Sequence, residues 1–314
     1  MSTSARRYMI LLSYNIITAN NSISIYASAP FKFIIEGTPL YIHAALVTQV
    51  SKPLDRMING YMSEAQEGFA EIKEVDEGTF VRFIQWAYNG EYEPGEFKID
   101  DSCIDQVPDG AEVPPEEVPD EEEAVMQDAP GGNSGAVPFF AQQPKQGMRD
   151  AFYGWQLPAH QETINSSAPR MNSGPEEDYT NVFLSHARVF VFAEKFDIQP
   201  LKALALDRLH GTLHSFWLYP ECTGDIIALL KYVYANTGEP MDGVKDLRSL
   251  LKLYMACSKY TLMEDQGFRD LLIEDGGPIL GDFFDMVKQS TMDEAHPQLQ
   301  NDVSNDMESE DEVE

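Results

Sequence analysis

Cysteine is scarce: the 314-residue chain holds three, Cys103, Cys222 and Cys257. They are too few and too scattered for a disulfide framework or a closed zinc site. The chain is therefore expected in a reducing compartment, cytoplasmic, nuclear or both. Positive charge is scarce as well. Lys and Arg number 22 against 52 acidic residues, a net charge of −30. A field of that sign repels phosphate backbones and anionic lipid heads, so neither direct nucleic-acid binding nor membrane binding is expected. No apolar run is long enough to cross a bilayer. The nearest thing to a leader is Arg6-Arg7 ahead of Tyr8–Leu12, with Ala27-Ser28-Ala29 where a cleavage site would fall. Ser13, Asn15 and Thr18 interrupt that stretch, and a secretory signal is not expected. The sequons at Asn20 and Asn165 are too common a pattern to alter this.

Signatures of catalysis are equally sparse. There is no Gly-rich phosphate loop, and Gly132-Asn133-Ser134-Gly135 only approaches a nucleophile elbow. His210 and His214 stand at i, i+4 spacing, but no glutamate follows His210 as in a zincin. They are read as exposed polar positions on a helix, with no metal expected. Carboxylate pairs abound but sit in solvated acidic runs, where general acid–base work is not expected. Ser309-Glu310-Asp311-Glu312 has the acidic character of a casein-kinase-type site. The expectation is a protein that is not an enzyme and needs no cofactor.

What is present is sharply divided. Residues 91–130 hold 15 acidic residues and one lysine, and residues 291–314 hold nine acidic residues and no Lys or Arg. These two segments supply −23 of the −30, so the acidity belongs to segments and not to the fold. Residues 91–178 also contain 11 of the 19 prolines. Runs such as Val113–Pro119 bury too little surface to offset the entropy of ordering, and Gly131–Gly135 is linker chemistry. Residues 93–178 are expected to be a disordered acidic insertion and 291–314 a disordered acidic tail. One island interrupts the insertion: Phe152, Tyr153 and Trp155 are either a stray hydrophobic cluster or a docking-motif candidate, since aromatics are favoured interface anchors.

Elsewhere the patterning is that of a folded chain. Phe31–Ile35 and Leu40–Ile42 read as strands of a hairpin about a turn at Glu36-Gly37-Thr38. His43–Val50 has helical composition, Pro53 restarts a helix toward Asn59, and Gly68–Ile72 is a third strand. Asp76 can cap the next helix, with Val75 and Phe80 at staple spacing. Phe80, Phe83, Ile84, Ala87 and Tyr88 then line one face up to Gly90. From Tyr179 the chain turns helical. Val182–Phe196 is apolar nearly all round, as in a buried helix, and amphipathic stripes follow around Leu201–Leu209, Ile226–Tyr234 and Leu247–Met255. Shorter helices are expected at Phe268–Ile273 and Leu280–Val287.

Taken in order, Phe33-Ile34-Ile35, then Leu40-Tyr41-Ile42-His43 with Ala44, Ala45 and Leu46, Ser51-Lys52-Pro53-Leu54, Met62-Ser63-Glu64, and Val75-Asp76 leading to Phe80–Gly90 with its closing Tyr-x-Gly, resemble a BTB/POZ domain. The resemblance resumes at Val189–Leu209, where Ala193–Asp197 with Leu201 and Leu206 is similar to the helix pair that ends the domain. The long polar insertion and helical extension are similar in style to BTB proteins of filamentous fungi. Family members often carry an aspartate before the first strand, where Ala29-Pro30 stands here, and residues 1–28 do not match the family's dimer-forming helix.

The resemblance implies an α+β fold, a short-stranded sheet packed on helices, in two blocks at 29–92 and 179–215. A helical extension at 216–290 follows, and 1–28 is an N-terminal segment of undetermined structure. It implies a protein–protein interaction module that dimerises and recruits targets to a cullin-type ubiquitin ligase. The alternative is a nuclear scaffold or transcriptional co-regulator acting through the acidic segments. No kelch, MATH or zinc-finger block is visible, so the target-recognition part is either the helical extension or missing. Cullin-binding members often carry hydrophobic-x-Glu after the third helix. Met62 and Glu64 match it with Tyr61 alongside, an adaptable apolar anchor beside a charge-assisted acceptor. His43 falls where the family has a buried or half-buried structural histidine, and a structural role is expected of it.

Overall fold

The computed structural model describes residue 25 and residues 27–61, 63–99, 146–155, 169–239, 245–275 and 277–289. The architecture is α+β, with two small sheets and a preponderance of helix. Strands β1 (Pro30–Ile35) and β2 (Thr38–His43) form the expected antiparallel hairpin, with Phe33 opposite Leu40. Its two-residue loop places Glu36 at φ 49° and Gly37 at φ 83°. Two positive φ values in succession match the right-handed twist of the flanking strands, which is why Gly stands at the second position. Helices α1 (Ala44–Val50), α2 (Lys52–Asn59) and α3 (Ser63–Glu67) lead to β3 (Phe69–Ile72). β3 joins the free edge of β1 in parallel, giving the strand order β2-β1-β3. A parallel pair needs a crossover, and the three helices provide it.

Helix α4 (Glu77–Asn89) begins as its sequence requires. Asp76 accepts the Thr79 backbone N–H at 2.9 Å and its hydroxyl at 2.6 Å. It ends at Gly90, which is left-handed at φ 76°. Phe80 and Phe83 on its inner face reach Phe33 of the sheet and Phe192 beyond it.

That contact joins the two distant blocks. Helices α5 (Gln146–Tyr153), α6 (Thr180–Lys195), α7 (Gln199–Ser215) and α8 (Thr223–Asn236) follow, with a 3-10 turn at Pro220–Cys222. α9 (Leu247–Cys257), α10 (Lys259–Glu264), α11 (Gln266–Asp275) and α12 (278–289) complete the described chain. One apolar core runs from Phe31 through Phe83, Phe183 and Leu230 to Phe283. Buried Ser51 ties its halves together by a double role. Its hydroxyl caps α2 by accepting the Leu54 N–H at 3.2 Å, and it donates to the Phe196 carbonyl at 2.7 Å.

The expected disorder of 93–178 is corrected at both ends and at its aromatic island. Residues 91–97 lie along α6. Gly95 donates its N–H to the Ser185 hydroxyl at 2.8 Å, and Arg82 donates to the Glu93 carbonyl at 2.9 Å. Strands β4 (Lys98–Ile99) and β5 (Glu177–Asp178) then pair antiparallel, which closes the base of the insertion. Arg170 grips Glu177 in a bidentate pair at 2.6 and 2.7 Å, and its guanidinium lies 4.1 Å over the Phe97 ring. Asn172 and Trp217 exchange hydrogen bonds at 2.9 and 2.7 Å. Side-chain pairing orders these residues, and composition does not report pairing. Residues 100–145 and 156–168, the acidic tail with Ser309, residues 1–24 and Cys103 lie outside the described residues.

Candidate functional site

The loop after α2 holds the first expected partner site. Gly60 stops α2 by donating its N–H to Arg56 O at 2.9 Å. Tyr61 projects fully into solvent, at 103% relative exposure. Glu64 is half-buried in the first turn of α3, where its carboxylate accepts from the Ser63 hydroxyl at 3.2 Å. Negative charge is favoured there by the helix dipole. Met62, the expected apolar anchor, lies outside the described residues.

The second expected site, the aromatic island, does not hang free. α5 lies against α7 and α9. Phe152 is fully buried, and its ring meets His210 of α7 at 5.0 Å and Tyr254 of α9 at 5.9 Å. Tyr153 meets His214 edge-on at 4.9 Å. Trp155, 6% exposed, lies 6.4 Å from the His210 ring, with the Lys245 ammonium 4.9 Å from its own. His210 Nε2 and the Phe152 carbonyl are 2.9 Å apart, so that nitrogen carries the proton and donates.

The reading of His210 and His214 as exposed positions is thereby corrected. The first is buried and the second half-buried, because the island covers them. Burial, which disfavours the cation, holds both imidazoles below their ordinary range, and at His210 the Phe152 carbonyl opposes it.

His43 is half-buried at the junction of β2 and α1. Its Nδ1 lies 2.5 Å from the Tyr88 hydroxyl, which ties the hairpin to the end of α4. Among the described residues no group of three or more His, Cys, Asp or Glu side chains is placed to hold a metal ion.

One polar cluster was missed from the sequence. Tyr92 and His186 are buried with Tyr92 Oη 2.8 Å from His186 Nδ1, and Thr212 Oγ1 lies 3.5 Å from Nε2. The Thr212 hydroxyl donates to Arg208 O at 2.9 Å. It is left to accept from Nε2–H, so the Tyr92 hydroxyl donates to Nδ1. Arg208 donates to the Tyr92 carbonyl and the Glu91 carboxylate. Burial first, then the Arg208 and Arg82 charges, push the His186 pKa down to about 3. A neutral, enclosed imidazole of this kind locks α6, α7 and the chain after α4 together. A histidine inside an otherwise apolar helical run was the available signal.

The concavity at the ends of β1 and β3 is lined by Glu36, Glu71, Glu74 and Asp76 with Lys73. Three of its carboxylates have structural tasks. Glu36 accepts the Glu77 N–H at 3.1 Å, Glu74 pairs with Lys195 at 2.8 Å, and Asp76 caps α4. Among known proteins, no family model matches the chain and no curated protein matches it.

Proposed function

We propose that the chain is a non-enzymatic protein–protein interaction module of the BTB/POZ type, an adaptor that dimerises and recruits targets to a cullin-type ubiquitin ligase. The observation that carries this reading is the order of elements. A strand hairpin is followed by short helices, a third strand parallel to the first, a helix on the sheet, and a closing pair in which α6 packs on that helix and α7 packs on α6. Ser51 supports it, since the serine that begins the second helix also bonds the closing pair through Phe196. The cullin-facing surface would be the loop after α2, where exposed Tyr61 stands beside Glu64.

The test is co-purification of the full chain with cullins from a eukaryotic lysate, with the Tyr61→Ala/Glu64→Lys variant alongside. Capture by the parent and its loss in the variant are expected, with the melting temperature within a few degrees, because Tyr61 makes no buried contact. A cullin captured equally by both proteins would remove this surface from the proposal. Failure of the parent to capture one would favour a nuclear scaffold acting through its acidic segments, a reading supported by the −23 charges concentrated in residues 91–130 and 291–314.

A further inference from the structure

The seating of the aromatic island has the form of a ligand in a groove. α5 is eight residues long, below the length at which an isolated helix is stable in water, so it is helical because it is docked. Among its described side chains the contacts alternate sharply. Phe152 and Trp155 are buried while Asp150, Ala151 and Gly154 between and beside them are exposed, an anchor pattern usual for a bound peptide and unusual for a core helix. The groove is supplied by other elements: His210 and His214 of α7, Tyr254 of α9, and Lys245 ahead of α9. The fit is also incomplete. Trp155 Nε1 is buried with no hydrogen-bond partner among the described residues, and an unmet indole N–H weakens docking relative to exposure to water.

We infer that the cleft between α7 and α9 is a docking groove for a short aromatic helix, and that residues 146–155 are its resident, releasable ligand. The spacing it reads is Phe-Tyr-x-Trp, with the first anchor in the last turn of the helix and the last anchor in the turn just beyond its end, where the Trp155 N–H donates to the Phe152 carbonyl at 3.2 Å. Being part of the same chain, the segment fills the groove at a high effective concentration, so a second polypeptide with the same spacing is kept out until the segment leaves.

The test uses the full chain carrying Phe152→Ala and Trp155→Ala, and a fluorescein-labelled peptide with the sequence of residues 146–156. Fluorescence anisotropy should show the variant binding the peptide at least tenfold more tightly than the parent does. A peptide with both aromatics changed to alanine should not bind. A variant that melts cooperatively yet does not bind the peptide overturns the inference. Because the variant could fail to fold, amide hydrogen exchange on the parent gives a second reading. Amides of 150–155 should exchange at least tenfold faster than those in the middle of α7 and α9. Equal protection would mean that the segment leaves only when the whole molecule unfolds, and would also overturn the inference. A parent that dimerises with rising concentration through the same two aromatics would show the ligand exchanged between copies, which supports it.

Discussion

At the scale of single residues, charge burial is concentrated where α6 begins. Asp225 of α8 is buried, accepting the Tyr179 backbone N–H at 2.9 Å and the Thr180 hydroxyl at 2.6 Å. Its carboxyl is nevertheless pushed up to about 6, because burial disfavours the anion and Asp178 adds a second negative charge. A carboxyl whose folded pKa is raised takes up protons on folding. Its contribution is full below the unfolded value, near 4, and is lost as pH rises through about 6. Glu177 runs the other way. Arg170 holds it below the usual range, so its stabilisation is present above the unfolded value and lost in acid.

Asp225→Asn isolates the first effect, since the Thr180 hydroxyl can turn to accept from the new amide. Relative to the parent, the variant should gain roughly 1–3 kcal/mol between pH 4 and pH 7, measured by urea denaturation at a series of pH values. A constant difference across that range would show that Asp225 is ionised throughout.

At the scale of elements, the stretch 91–97 shows how a segment with strand-poor, proline-bearing sequence becomes ordered. Tyr92 enters the core at His186, and Gly95 lies so close to the first turn of α6 that a Cβ there would meet the Asn181 carbonyl oxygen at 2.3 Å and its carbon at 2.8 Å. Both are backbone atoms of a helix, so neither yields as a side chain would. Gly95→Ala is expected to cost about 1–3 kcal/mol through this overlap, seen as a lower denaturation midpoint with an unchanged slope. An unchanged midpoint would show that the stretch does not rest on α6. The same packing explains Ser185, whose hydroxyl turns back on Val182 O at 2.7 Å while accepting from Gly95.

At the scale of the molecule, the boundary expected at residue 216 falls inside a continuous core. Phe216 is fully buried between Tyr179 and Phe183, with ring centroids 5.2 and 5.0 Å away, and Asp225 holds the start of α6 from the far side. A chain ending at residue 215 would expose the face of α6 that α8 covers, besides losing these contacts. Large apolar side chains removed from a core cost about 2–5 kcal/mol each, and a domain has only about 5–15 to lose. The truncated chain is expected to show no cooperative thermal transition by circular dichroism. A sharp transition would establish the first 215 residues as a domain in their own right.

Local chemistry determined much of this protein. The hairpin about Glu36-Gly37, the Asp76 cap, the Gly90 stop and the stripes of α4, α8 and α9 were legible because turns, caps and periodicity act over a few residues. Tertiary structure alone decided the parallel seat of β3 and the buried pairing of Tyr92 with His186, 94 residues apart. It also decided the bond from Ser51 to Phe196, which spans 145 residues, and the docking of Phe152 and Trp155. The island's composition is that of its surroundings apart from three aromatics. What orders it is a cleft made by α7 and α9, elements that begin more than forty residues further along the chain. No local pattern reports a surface that distant parts of the chain build together.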